Sequence, residues 1–263
     1  MALKMPVVFI PHGGGPLPVL NDPSHTQLTA FLRTLGPSLP KPRAILVVSA
    51  HWEETTIELT AKAHPELLFD YYGFPAEAYA LQYNAPGDPQ LAEQIQQLLH
   101  NAAIPSQLNA QRDWDHGVFI PLLLMYPQAN IPIVQISLRH DLDPALHIAL
   151  GETLSQLRQQ GVLILGSGLS FHNMQAFFNG GASEASAKFD QWLNQTLCAD
   201  LDFSAQKAAL QNWQQAPYAR YCHPREEHLL PLLVCLGASN GDKCNNRFNA
   251  KLLGAQVSAF MWD

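Results

Sequence analysis

The chain is 263 residues long and carries 15 Lys+Arg against 22 Asp+Glu, a formal net charge of -7, without a run of like charges. That balance excludes a phosphate-tracking nucleic-acid face and a basic membrane-binding face, and 47% apolar with 14% charged residues excludes a disordered chain. A fold of this size buries roughly 75% of its unfolded surface, so it needs no disulfide or structural metal, and a metal here would serve chemistry.

In chain order, the apolar β-branched run Val7 to Ile10 predicts a first strand that ends in Pro11-His12-Gly-Gly-Gly-Pro16. Leu28, Phe31, Leu32 and Leu35 then share one helical face. Ala44 to Ser49 predicts a second strand running into Ala50-His51-Trp52, and Ile57 to Thr60 a third. Leu91, Ile95, Leu98 and Leu99 mark a second helix. His116, in Trp114-Asp-His-Gly117, stands just before the apolar run Val118 to Met125 and could cap a helix there. Ile131 to Ile136 predicts a strand, and Leu146, Leu150, Leu154 and Leu157 a helix. Val162 to Gly166 then runs into Ser167-Gly-Leu-Ser-Phe-His172-Asn173. Asn179 to Ser186 reads as a small-residue loop, and Glu226-Glu227-His228 as the first turn of a helix with Pro224 at its start. Gln256 to Met261 predicts the last strand.

Continuous apolar strands alternating with amphipathic helices predict an α/β fold: a single three-layer α/β/α domain over residues 1–263 with a mostly parallel central sheet. The longest strongly apolar stretch, Leu229 to Ala238, contains Pro231 and is well short of the roughly 20 residues that cross a bilayer. The N-terminus carries no cleavage-site pattern. Cys198, Cys222, Cys235 and Cys244 form no Cys-x-x-Cys pair. The expectation is a cytoplasmic protein with reduced thiols, a monomer or homodimer, without membrane or nucleic-acid partners.

Eleven histidines are many beside 15 Lys+Arg, and histidine is both the commonest transition-metal ligand and the usual proton shuttle near neutral pH. Their placement matters because open α/β sheets bind ligands beyond the carboxyl ends of their strands. His12, His51 and His172 sit there, with His116 and His228 at expected helix starts. Three glycines after His12 allow a sharp turn with room beside the ring. His25, His64, His100, His140, His147 and His223 lack such a setting and read as surface or structural residues. Ser167 and Ser170 lack Gly-x-Ser-x-Gly spacing, which argues against a serine nucleophile. Two imidazoles plus a donor from the Glu226 to His228 turn would leave adjacent metal sites free, as in non-haem Fe(II) enzymes that bind an organic substrate and O2. A zinc hydrolase uses the same residue types, and a non-catalytic binding protein could share the scaffold, so those readings stay open at this level.

The ordered set His12-Gly, Ser49-Ala-His51-Trp52, Tyr72-Gly-Phe-Pro75, Tyr83-Asn-Ala-Pro-Gly87, Asp115-His116-Gly117, His172-Asn173 and Glu227-His228-Leu-Leu-Pro-Leu-Leu233-x-x-x-Gly237-Ala238 resembles the class III extradiol ring-cleavage dioxygenases, in particular their DOPA dioxygenase branch. The resemblance implies one mononuclear metal, Fe(II) for activity with Zn(II) able to occupy the same site, and a small catechol such as DOPA with O2 as substrates. It implies His12, His51 and His228 as metal ligands, with Glu227 as the fallback for the third. His172 is implied as the catalytic acid/base or a fourth ligand, and His116 as a second active-site histidine. The turn His-Gly-Gly-Gly-Pro departs from the shorter His-Gly-Ser-Pro of many relatives and bears on the pocket mouth. Phe69, Tyr71, Tyr72 and Phe74 are candidate pocket wall, a role that core packing explains nearly as well.

Overall fold

The computed structural model describes residues 4–180 and 182–263. Its strands are β1 (Val7–Pro11), β2 (Ala44–Glu54), β3 (Ile57–Thr60), β4 (Ser106–Asn109), β5 (Ile133–Arg139), β6 (Val162–Gly168), β7 (Cys244–Leu252) and β8 (Ala255–Trp262). They form one sheet in the order β4-β3-β5-β2-β6-β1-β8-β7. The middle four, β5-β2-β6-β1, are mutually parallel, with Ile45 opposite both Ile133 and Leu163, and Val7 opposite Ile164. These are the strands with continuous apolar sequence, as burial on both faces requires; β1 and β6 are buried along their whole length.

The helices are α1 (Thr26–Ser38), α2 (Pro89–Asn101), α3 (His116–Met125), α4 (Pro144–Leu154), α5 (Met174–Asn179), α6 (Ser183–Cys198), α7 (Phe203–Gln211), α8 (Ala219–Cys222) and α9 (Leu230–Ser239). Two neighbouring residues of β6 show that the helices cover both faces. A side chain on Gly166 would run into Cys235 of α9, whereas the Ser167 hydroxyl donates to the Gly117 carbonyl of α3. Successive strand residues point to opposite faces, so α3 and α9 sandwich the sheet, with α1 packed on α3 and α4 on α9. The mostly parallel three-layer reading holds. Among the described residues no helix is long and apolar enough to cross a membrane.

Helices α3 and α9 are apolar all round and almost completely buried, unlike α2, whose apolar face is one-sided and whose Asp88 cap accepts from Leu91 N at 3.0 Å. Two expectations need correction, and two strands are not foreseen in the sequence. Helix α9 starts at Leu230 with Pro231 in its first turn; Glu226 to Leu229 form a separate turn before it, closed by Leu229 N donating to Glu226 O. The small-residue stretch is helical from Ser183 onward, since α6 begins there, and Gly181 lies outside the described residues. Strands β4 and β7 escape the apolar pattern because both lie at sheet edges, where solvent takes one side and polar residues such as Asn245, Asn246 and Arg247 are tolerated.

Candidate metal centre

Strands β2, β6 and β1 are adjacent, so the segments leaving their carboxyl ends converge although they are far apart in sequence. The exit of β6 is the spine of this end. Gly168 O accepts from His12 N at 3.2 Å, Leu169 N donates to His228 O at 3.0 Å, and His172 N donates to Cys222 O at 3.0 Å. Ser170 serves the same scaffold: its carbonyl accepts from His223 Nε2 at 3.1 Å and its hydroxyl from Ser258 N, which confirms a structural serine.

His51 is presented differently. Val48 pairs with Ile136 but Glu53 already pairs with Leu138, so the residues between them bulge out of β2 and lift His51 from the ladder. A fully buried hub fixes the bulge. Asp115 accepts from Ser49 Oγ at 2.7 Å, from Arg112 Nη2 at 2.9 Å and from Gln135 Nε2, while Arg112 also donates to His51 O at 3.1 Å and lies over the Trp52 ring. Asp115 is the residue before α3, so the hub simultaneously sets where His116, the first residue of α3, stands. Gly117 lets α3 approach: a Cβ there would lie 2.4 Å from Ser49 Oγ. The turn after His12 needs glycine too, because Gly13 has φ +89°. His25, buried and structural, accepts from Gly14 N at 3.0 Å and pins that turn.

The five candidate histidines meet in one cluster. His12 Nε2 and His51 Nε2 are 3.2 Å apart, and the His116 ring is 3.9 Å from that of His51 and 5.2 Å from that of His12. The His228 ring lies 4.9 Å from His51 and 5.2 Å from His12, and stacks on His172 at 3.5 Å. Two triads are tightest, His12–His51–His116 and His172–Glu227–His228, each with its ligand atoms within 4.8 Å of one another.

Acceptors behind the rings set their tautomers. The Gly13 carbonyl can only accept, so His12 Nδ1 carries the proton and donates to it at 2.9 Å. His116 Nδ1 donates to Asp70 Oδ1 at 2.8 Å, and His228 Nδ1 to Glu227 Oε1 at 2.8 Å; His172 Nδ1 lies 3.2 Å from the same oxygen. In the neutral His12 and His228 rings, Nε2 is thereby left with its lone pair. Burial, and then repulsion from neighbouring imidazoles, pushes His12, His51 and His228 well below the ordinary histidine range, so they are neutral near pH 7. Burial alone would raise Asp70 and Glu227. Burial is the largest single influence on each, but at Asp70 the His116 hydrogen bond together with attraction from His116 and His51 outweighs it, and at Glu227 the His172 hydrogen bond leads the opposition, so both carboxyls sit below their usual range.

Neutral, buried imidazoles at His12, His51 and His228, with Nδ1 of His12 and His228 engaged from behind, offer the donor chemistry of a transition-metal site, backed by the carboxylates and carbonyls that such ligands use as outer partners. Glu227 faces the rings from behind in this arrangement. Asp70 escapes sequence reasoning because it lies in a loop without any motif, brought to His116 only by the fold. Asp115 adjoins His116, a signal that a search for capping residues could have used. Tyr71 borders the site, its ring 5.8 Å from His116 within a cluster that includes Phe69, Phe74 and Phe119, whereas Tyr72 is 91% exposed.

Fold and site together define an α/β protein with a cluster of histidines able to hold a metal at the carboxyl end of its sheet. The chain belongs to the family described as the catalytic LigB subunit of aromatic ring-opening dioxygenase, which matches residues 7–261. It is thus a member of a metal-dependent dioxygenase family. It is 34% identical to Dioxygenase tasH of Hapsidospora irregularis, over 98% of this chain and 85% of that one. It is also 37% identical to 4,5-DOPA dioxygenase extradiol of Beta vulgaris (88% and 85% covered) and 35% identical to the protein of that name in Escherichia coli (91% and 87%). A crystal structure of an uncharacterized Escherichia coli protein superposes with a TM-score of 0.80 at 30% identity, covering 99% of this chain and all of that one.

Proposed function

We propose that residues 1–263 act as one catalytic domain that opens the ring of a small catechol, DOPA or a close analogue, by extradiol cleavage with O2. The convergence of buried, neutral imidazoles at His12, His51 and His228 carries this reading. These three would hold a single ion, iron in the working enzyme and zinc as an inactive occupant. Ferrous iron supplies the electron exchange between an organic diol and O2 that ring opening requires.

The protein's own groups do the rest. His172 has its Nδ1 engaged by Glu227, which leaves Nε2 to accept a proton from a catechol hydroxyl, the usual work of a general base. His116, held by Asp70 through both its backbone N and Nδ1, presents Nε2 to substrate or oxygen. The Tyr71 ring beside it supplies an apolar wall for an aromatic ring and keeps water from that side.

The test is O2 uptake and visible absorbance after anaerobic Fe(II) loading, with L-DOPA, protocatechuate, catechol and homoprotocatechuate in parallel. Iron-dependent uptake with a yellow product is expected, and zinc loading should give none. Stoichiometric iron without uptake on any of the four would overturn the reading. His172→Ala should keep most of the metal while turnover drops by about 10²–10⁴-fold, the range for losing a general base. His12→Ala and His51→Ala should lose metal and turnover together. Equal metal loss in all three variants would make His172 a primary ligand instead.

A further inference from the structure

The His172–His228 side of the site is joined to the His51 side by one arginine. Arg225 lies in the turn that carries His228, and its guanidinium grips Glu53 of β2 with both arms, Nη1 to Oε1 and Nη2 to Oε2 at 2.5 Å each. Glu53 is two residues beyond His51, at the point where the bulged strand rejoins its register with β5. Arg225 Nη1 also reaches Glu227 Oε2 at 3.4 Å, while Glu227 Oε1 takes His228 Nδ1 at 2.8 Å and faces His172 Nδ1 at 3.2 Å. His140 approaches the outer side of Glu53, 3.4 Å from Oε2.

We propose that Arg225 is a positioning residue that fixes the Glu227 carboxylate, and through it the tautomer and aim of both His172 and His228, by clamping the 223–229 turn to the end of β2. The bond from Leu169 N, just past β6, to His228 O holds the main chain of this turn, but it does not set the rotation of a carboxylate. That rotation is fixed when one oxygen meets a cation and the other meets the imidazoles. With Arg225 removed, Glu53 and Glu227 would confront each other without the cation between them, and Glu227 would be free to swing away from the rings. The Arg225 side chain is 47% exposed, and such ion pairs add little to stability. Its bidentate geometry confers direction instead. This inference rests on the metal-site reading above.

The test uses full-length wild type, Arg225→Ala, Arg225→Lys and Glu53→Gln. Each is loaded anaerobically with Co(II), whose visible bands report ligand geometry, and its affinity is measured by chelator competition. Arg225→Ala should unfold at the wild-type temperature without metal, yet bind Co(II) about 10–100-fold more weakly with altered bands, the range for loss of an outer-shell partner. Lysine cannot make the two-armed contact, so Arg225→Lys should recover part of the loss, and Glu53→Gln should fall between them. With iron, Arg225→Ala should lower kcat for catechol opening more than it raises KM. Wild-type affinity and bands in Arg225→Ala would overturn the inference while leaving the proposed function intact. A wild-type protein that binds neither Co(II) nor Fe(II) would overturn both. Metal bound normally by wild type without ring opening would overturn only the function, because the Co(II) comparison would still decide the role of Arg225.

Discussion

The two halves of the histidine cluster are secured by opposite means. Around His12, His51 and His116 the central fastener is inside the protein: Ser49 and Gln135 are fully buried and serve the fully buried Asp115, while Arg112 and Asp70 at its margin are 19% and 21% exposed. Around His172 and His228 the Glu227 side chain is 13% exposed, but the Arg225 that reaches it is half in water, 47% exposed. Breaking a buried charged network costs about 3–5 kcal/mol, whereas exposed pairs contribute about 0–1 kcal/mol. The first half is therefore part of what keeps the chain folded. The second is held in direction more than in place, which suits the side bearing the proposed acid/base.

The largest effect that separates the halves is expected from Asp115→Ala. It strips the acceptor from Arg112, Ser49 and Gln135, and should lower unfolding free energy by about 3–5 kcal/mol in urea titration. Equal losses from Asp115→Ala and Arg225→Ala would break the comparison. Next comes Gly117→Ala, whose new methyl would press on Ser49 Oγ and on His51 Cδ2, 3.2 Å away. Overpacking of this kind costs about 1–3 kcal/mol, and calorimetry should show it together with weakened metal binding.

Acid acts on both halves, since burial depresses His12 and His51 in one and His223 and His228 in the other. Burial, resisted by the hydrogen bond to Ser170, holds His223 down at about 3, and its Nδ1 has no partner. The folded state therefore binds fewer protons than the unfolded chain, so stability present above pH 6.5 is lost as pH falls toward 3. The slope is up to about 1.4 kcal/mol per pH unit for each such histidine. Burial lowers His25 and His147 as well and adds in the same direction. Amide exchange at pH 5 should rise in the 223–229 turn before it rises in the β2 bulge; the reverse order would contradict the contrast. The smallest effect is expected of Asp70→Asn, which keeps an oxygen acceptor for His116 but loses the negative charge near His51. Folding stability should be unchanged, with Co(II) affinity down by about 10-fold in chelator competition.

Much of this arrangement was legible in the residues themselves. The central strands declare themselves because burial on both sides demands unbroken apolar runs, and the site histidines because they follow those runs. The edge strands β4 and β7 stay hidden behind polar side chains that solvent permits. The start of α9 is misplaced because Pro224 and Pro231 are equally good opening residues, and only the packing of the 226–229 turn against β6 chooses the second. The supports of the site are the least visible. Asp70, Glu53 and Arg225 acquire meaning only when a loop, a strand end and a turn meet in space, and no local pattern encodes that meeting.

The sheet also has a silent end. Every segment implicated in chemistry leaves or overlies the carboxyl ends of β1, β2 and β6, whereas the connections entering the parallel strands β5 and β6 turn at Ala129 and Gly161, both with positive φ, at the opposite end of the sheet. Chain variation is tolerated best in such surface turns. Those entry turns are where the protein can lengthen, accept a fused partner or diverge between lineages while its working end stays constant.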